Sequence, residues 1–261
     1  MYAMERQELI ERLLLDEGRV AVVELAERFG VTTETVRRDL DALELSGALR
    51  RVHGGAVAVD RASTAEASVI ERSGLRTDTK LRIAARALDA LGDGFRGSLY
   101  LDAGTTTGAV AQLLPARLSA SGGEAEVVTH SLTLAPALAA ADRVSLTVVG
   151  GRIRGVTAAA VGASTVRAIQ SLRPDIVFVG VNGVSAGFGL STPDPEEAAV
   201  KDAIVRAARR VIVLADSSKF QQESLVSFAA LDAVDVLVTD RAPQGELADA
   251  LAADGVEVWS A

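Results

Sequence analysis

Cysteine is absent from this 261-residue chain, so disulfides and thiolate metal sites are excluded. Lysine is nearly absent too: Lys80, Lys201 and Lys219 are the only three, against 24 arginines. No apolar run approaches the roughly 18 residues needed to span a bilayer. The first residues, Met1 to Glu8, are charged and lead into an amphipathic pattern, so they do not read as a signal peptide. A cytoplasmic protein is expected, with no metal, no cofactor and no membrane partner. Net positive charge is also lacking. At −8 the chain is poorly suited to nucleic acid as a whole, so any DNA surface has to be a local arginine cluster.

What is present is an ordinary globular composition, 49% hydrophobic and 24% charged, long enough for a small domain and a larger one. Three short helices open the chain. Met4–Glu17 carries Leu9, Ile10, Leu13 and Leu14 on one face, and Val22–Phe29 repeats the spacing. Gly30-Val31 makes a turn, and Thr32 caps a third helix, Thr33–Leu45. Leu49–Val52 and Ala56–Ala58, joined through His53-Gly54-Gly55, read as a hairpin. Residues 1–59 are therefore expected to form one domain and 60–79 a linker, where periodicity fades.

From Lys80 to the end at Ala261, apolar runs alternate with helical patterns. The strands expected are Ser98–Leu101, Glu126–Thr129, Val144–Val149, Ile176–Val181, Val211–Ala215, Val236–Thr239 and Val256–Trp259. Their continuous apolar character suits parallel strands covered on both faces. Helices are expected at Lys80–Leu91, Thr106–Leu114, Leu132–Ala140, Glu196–Arg209 and Glu246–Ala253. The fold class expected is α/β: a winged helix-turn-helix followed by a doubly wound domain.

On the third helix Val36, Leu40 and Leu43 share one side, and Arg38 points away from it with Thr35 and Arg37 on its flanks. A recognition helix has this arrangement, apolar residues inward and polar N-terminal residues toward the major groove. Thr33 lies in the same first turn, and Arg50, Arg51 and His53 sit on the hairpin beside glycines. Glu34, Asp39, Asp41 and Glu44 argue the other way, for a merely solvated face. In the second domain Leu101-Asp102-Ala103-Gly104-Thr105-Thr106-Thr107 follows a strand and opens a helix, which is a cradle for an anion. It lacks the Gly-Lys-Ser/Thr of a nucleotide loop and the G-x-G-x-x-G of a dinucleotide fold. The alternative is ordinary threonine capping. Further polar or glycine-rich segments recur at strand ends: His130-Ser131, Gly150-Gly151-Arg152, Asn182-Gly183 and Asp216-Ser217-Ser218-Lys219. Glu197 and Lys201 lie four apart on a helix and form either a surface pair or part of the pocket.

These motifs together resemble the DeoR family of bacterial sugar-metabolism regulators. The resemblance rests on Thr35-Val36-Arg37-Arg38-Asp39-Leu40 and Arg51-Val52-His53-Gly54-Gly55-Ala56 in the first domain. In the second it rests on D-A-G-T-T-T, G-G-R, the E-A-x-x-K helix and D-S-S-K-F. It implies repressor-type binding of double-stranded operator DNA by a homodimer or homotetramer. It also implies a sensor domain sharing the fold of ribose-5-phosphate isomerase, whose effector is a sugar phosphate. Members of actinobacterial type point to fructose 1-phosphate. One departure is His130, where the family commonly has asparagine. A sugar-phosphate isomerase with a DNA-binding appendage is the rival reading. It is disfavoured because Asn182-Gly183 replaces the acidic cluster that supplies the isomerase's base, so no enzyme activity is expected. A nicotinamide-sensing regulator is a further rival, disfavoured by the missing glycine fingerprint.

Overall fold

The computed structural model describes residues 3–17, 19–45, 49–52, 54–58, 63–64 and 66–261. The chain divides into two compact units, residues 1–62 and 63–261.

The first unit contains α1 (Ala3–Glu17), β1 (Arg19–Ala21), α2 (Val22–Phe29), α3 (Thr33–Leu45), β2 (Leu49–Val52) and β3 (Gly55–Ala58). Gly30 ends α2 in the left-handed region at φ 63°, where its N–H returns to Ala26 and Glu27. Thr32 then caps α3 by accepting the Thr35 N–H at 3.2 Å. Ile10, Leu14, Leu25, Val36, Leu40 and Leu49 close the core. The hairpin expected from sequence is present and gains β1 as a third strand, in the order β1-β3-β2. A β1 of three residues carries too little pattern to read. Gly55 allows that pairing, because a Cβ there would meet the Val20 carbonyl oxygen at 2.0 Å. Asp39, counted above as surface acidity, is buried and holds Arg6 through both carboxylate oxygens.

The second unit opens with α4 (Val69–Ser73) and α5 (Thr77–Ala87). The segment expected to be a linker to residue 79 is thus helical from Val69 and belongs to the second unit. Then follow β4 (Arg96–Leu101), α6 (Thr105–Ser121), β5 (Glu124–Thr129), α7 (Ala135–Ala139), β6 (Val144–Val148), β7 (Arg152–Arg154), β8 (Ala159–Val161) and α8 (Ala163–Gln170). The remainder is β9 (Ile176–Gly180), β10 (Gly183–Ser185), β11 (Gly189–Thr192), α9 (Pro195–Ala207), β12 (Val211–Leu214), β13 (Val226–Ala229), β14 (Val236–Thr239), α10 (Glu246–Ala253) and β15 (Glu257–Ser260).

All seven strands expected from the apolar runs form one parallel sheet, in the order β15-β14-β12-β9-β4-β5-β6. Alternate residues feed opposite faces. Leu99, Leu101 and Phe178 pack under α5 and α6, while Tyr100, Val177 and Val179 pack under α8 and α9. Burial on both faces is why the runs read as continuously apolar. The chain winds outward from β4 through β5 to β6, then restarts at β9 and winds the other way. The winding therefore reverses between β4 and β9, and in doubly wound sheets that point leaves a crevice at the strands' carboxyl ends.

Arg6→Ala is expected to leave the buried Asp39 carboxylate unpaired and to cost the first unit about 3–5 kcal/mol. Urea unfolding followed by α1–α3 amide exchange measures it. A loss under about 1 kcal/mol would show that the pair contributes little.

Candidate functional site

In the first unit, α3 presents its two arginines outward. The Arg38 side chain is 80% exposed and Arg37 53%, each with only a loose contact to Glu34, at 3.9 and 3.6 Å. Such exposed pairs contribute little and leave both guanidinium groups available. Thr33 is exposed, and Thr35 is half-buried with its hydroxyl 2.9 Å from that of Thr32. Arg51 is placed differently from expectation. It turns back from β2 to pair with Asp41 and donates to the Arg37 carbonyl at 3.2 Å, while its N–H reaches Glu44 at 2.7 Å. Arg51 thus braces the hairpin against α3. Arg50 lies on β2. His53 lies outside the described residues.

In the second unit the crevice between β4 and β9 is built on Asp102, the residue after β4. Its Oδ2 accepts from Lys201 Nζ, arriving from α9, and from the Gly180 N–H at 2.9 Å. Lys201 Nζ also donates to the Gly180 carbonyl at 2.8 Å and sits 5.5 Å from the centre of the Phe228 ring. Asp102 Oδ1 is buried with no hydrogen-bond partner among the described residues. Opposite it, 3.7 Å away, is Nε2 of His130.

His130 is buried, and that burial pushes its pKa from 6.5 down to about 4, with Asp102 opposing and Lys201 assisting. Its Nδ1 lies 3.0 Å from the Tyr100 hydroxyl. Burial first, then the Asp102 charge, raise the Tyr100 pKa well above the ordinary value. The phenol therefore keeps its proton and is available as a donor to Nδ1; the tautomer that accepts it carries the imidazole proton on Nε2, facing Asp102. Tyr100 was not legible as a site residue, because it lies in a run that reads as core.

The loop after Asp102 enters α6. Its N-cap is Gly104, which has no side chain to accept the first-turn N–H groups, so threonine capping does not apply. Thr105 and Thr106 are half-buried at that end, whereas Thr107 is buried and donates to the Gly104 carbonyl at 3.0 Å, bracing the turn. A cleft of about 310 Å³ opens at Gly104 and Thr105 and is walled on its other side by Val69, Ile70 and Ser73.

The remaining expected residues are held by the following partners. Glu197 and Lys201 do not form the surface pair considered above. Both are buried with separate partners, Glu197 accepting from Thr157 Oγ1 and from Arg154 at 3.2 Å. Burial raises the Glu197 pKa, against the Thr157 hydrogen bond and the Lys201 charge, with Glu66 adding to the rise and Arg154 opposing it. Asp216 is buried too. Burial alone would raise its pKa, but Lys219, the Ser218 hydroxyl and Arg76 together hold it below the ordinary value. Arg152 is exposed and paired with Glu196. Gly151 and Gly183 are glycines for close approach: a Cβ would meet Thr165 Oγ1 at 2.0 Å or the Gln222 carbonyl at 2.1 Å. Asn182 Oδ1 accepts from Thr192, and the Ser131 hydroxyl lies 3.0 Å from that of Thr133. Arg154, Thr157, Asp194 and Arg76 were not anticipated, since no motif marks them.

Two family models match the chain: a DeoR-like helix-turn-helix domain over residues 6–62, and a DeoR C-terminal sensor domain over residues 75–241. The chain belongs to the DeoR family. It is 34% identical over 259 residues to the HTH-type transcriptional regulator GlpR of Haloferax volcanii, covering 99% of this chain and 98% of that protein. It is 30% identical over 243 residues to the glycerol-3-phosphate regulon repressor of Escherichia coli K12, covering 93% of each. Among solved structures, ribose 5-phosphate isomerase A of Methanocaldococcus jannaschii superposes with a TM-score of 0.41 and 18% identity, over 55% of this chain and 54% of that one. The protein is thus a DNA-binding transcription regulator with a helix-turn-helix domain and a C-terminal sensor domain. Among the described residues no helix is long and apolar enough to cross a membrane.

The His130 shift has a definite sign. Its folded pKa lies below the ordinary value, so the neutral ring stabilises the fold above about pH 6.5, and this is lost as pH falls toward about 4. From pH 7 to pH 5 the expected loss is about 2 kcal/mol. Urea unfolding at both pH values, with His130→Asn alongside, checks it. A variant with the same pH slope as wild type would contradict the assignment.

Proposed function

We propose that this DeoR-family chain represses a sugar-catabolism operon and is released by a phosphorylated sugar bound at the β4–β9 crevice of its sensor domain. The observation that carries the reading is the start of α6. A 17-residue helix points an end without a side-chain cap, Gly104-Thr105-Thr106, into the crevice where the sheet's winding reverses. Free N–H groups and the positive helix end suit a phosphate there, and the Thr105 and Thr106 hydroxyls add donors. The unpartnered Asp102 Oδ1 and the Nε2–H of His130 face each other beside it, a donor and an acceptor suited to a sugar hydroxyl. The Escherichia coli relative is a repressor of the glycerol 3-phosphate regulon, and glycerol 3-phosphate is a phosphorylated polyol. Fructose 1-phosphate is the first effector to test.

On the DNA side, Arg37 and Arg38 with Thr33 and Thr35 enter the major groove, each of two subunits holding one half-site of an operator in a homodimer or homotetramer. A sugar phosphate that prefers the form with weak DNA affinity then loosens the repressor by linkage.

Arg38→Ala is expected to weaken binding to a duplex selected by the wild-type protein by about 1–3 kcal/mol per half-site, without loss of stability. Unchanged affinity in a gel-shift titration at fixed salt would remove α3 from the role of recognition helix. Thr106→Glu tests the sensor. An acid in an ordinary first turn is neutral or stabilising by about 0.3–1 kcal/mol. At a phosphate site it excludes the ligand, so calorimetric binding of fructose 1-phosphate should collapse while the melting temperature holds. Wild-type affinity in that variant would place the phosphate elsewhere.

A further inference from the structure

Residues 63–76, which follow the first unit, are held within the second unit by ionic contacts: Arg76 reaches Asp216 directly, and Glu66 reaches Glu197, a residue expected at the effector site, through Arg154. Glu66, almost wholly buried, pairs with Arg154 at 2.7 Å and with Arg72 at 3.5 Å. Arg154 passes that contact to Glu197 at 3.2 Å, one turn before Lys201 on α9, and to Asp194 at 3.1 Å, the residue that caps the helix. At the far end of the segment Arg76 pairs with Asp216 at 3.2 Å. Backbone bonds add to the anchorage, from Leu225 N–H to the Ser63 carbonyl at 2.9 Å and from Val69 N–H to the Val156 carbonyl at 2.7 Å.

Two features make this strap a poised element rather than an inert tether. Arg76 holds φ 51°, in the left-handed region that a side chain rarely adopts. Such a conformation persists only where its surroundings impose it, and the Asp216 ion pair is one of those constraints. The cluster is also incompletely satisfied. Glu66 Oε1 and Arg72 Nε are buried without a hydrogen-bond partner among the described residues, which weakens the lock. Val69, Ile70 and Ser73 of the strap also wall a cleft that reaches Gly104 and Thr105 at the start of α6.

We propose that the strap is the element through which the sensor domain reports its occupancy. This rests on the effector reading above. A sugar hydroxyl that donates to Glu197 or Asp216 competes with Arg154 or Arg76 for the same carboxylate. An effector that recruits them draws them from Arg154 and Arg76, and a ligand entering the cleft displaces the strap's apolar wall. The strap loosens, and it is the segment that joins directly to residues 1–62. Physically this is a two-state element biased by the ligand, the requirement for coupling between sites.

The test uses the full-length protein with fructose 1-phosphate, glycerol 3-phosphate and inorganic phosphate as probes. Calorimetry first shows which probe binds, and amide exchange over residues 66–76 is then read with that probe saturating. At least three-fold faster exchange in the strap is expected, with the β4–β9 sheet core unchanged. Binding with unchanged or slowed strap exchange would overturn the inference and leave the effector reading intact. No binding by any probe would overturn both. Independently, Glu66→Gln loosens the strap without a ligand, so probe-free operator affinity is expected to fall at least three-fold toward the probe-bound level. The factor by which the probe weakens binding to the selected duplex should shrink at least three-fold. Arg76→Gln serves as the second variant should Glu66→Gln fold poorly. An undiminished factor in a folded variant would contradict the strap's role.

Discussion

The Asp102–Lys201–Gly180 junction is the contact on which the sensor domain's geometry depends. It joins the end of β4, the end of β9 and the middle of α9, the three elements that meet where the sheet's winding reverses. A buried ion pair gains little over apolar packing unless its remaining lone pairs and protons are served. Here both backbone groups of Gly180 serve them, and only Asp102 Oδ1 is left over. Because Asp102 is fixed, the chain that follows it can turn only through Gly104 into α6, and the helix end is thereby aimed at the crevice. Tyr100 and His130 complete the junction by holding a neutral ring with its proton toward the unserved oxygen.

The first unit applies the same logic to a chain whose net charge is −8. The acidic residues of α3 do not face outward as a block. Asp39 turns inward to Arg6, and Asp41 and Glu44 are engaged by Arg51. On the outer face Arg37 and Arg38 stand exposed beside Glu34, a positive cluster that is local rather than net. A local positive face is thus compatible with an acidic protein, since screening in physiological salt confines charge effects to about 8 Å.

Much of the fold was legible because its signals are long. Seven apolar runs gave seven parallel strands, and the third helix began and ended where its cap and periodicity placed it. What escaped was short or overridden. The strands β1, β7, β8, β10, β11 and β13 have three or four residues each, too few for a period. Helix α6, expected to end at Leu114, runs through Pro115 to Ser121, with Leu114 and Leu118 buried on either side of the proline. The strap could have been read in part, since Ser68 and Glu71 form a capping box that marks the start of α4. At the expected site, motifs marked residues but not their contacts: Thr107 braces the turn into α6, and Gly151 and Gly183 allow close packing. Arg154 and Arg76, which pair with Glu197 and Asp216, come from segments without any motif.

The central claim is that the crevice at the start of α6 recognises a phosphorylated sugar. Its most direct test is a side-by-side calorimetric titration of the full-length protein with fructose 1-phosphate, fructose 6-phosphate and glycerol 3-phosphate, and with fructose and glycerol. The account predicts saturable binding of at least one phosphorylated compound, close to one per chain, and none of its unphosphorylated parent. Equal affinity for parent and phosphate ester, or no binding by any of the phosphorylated compounds, would contradict it.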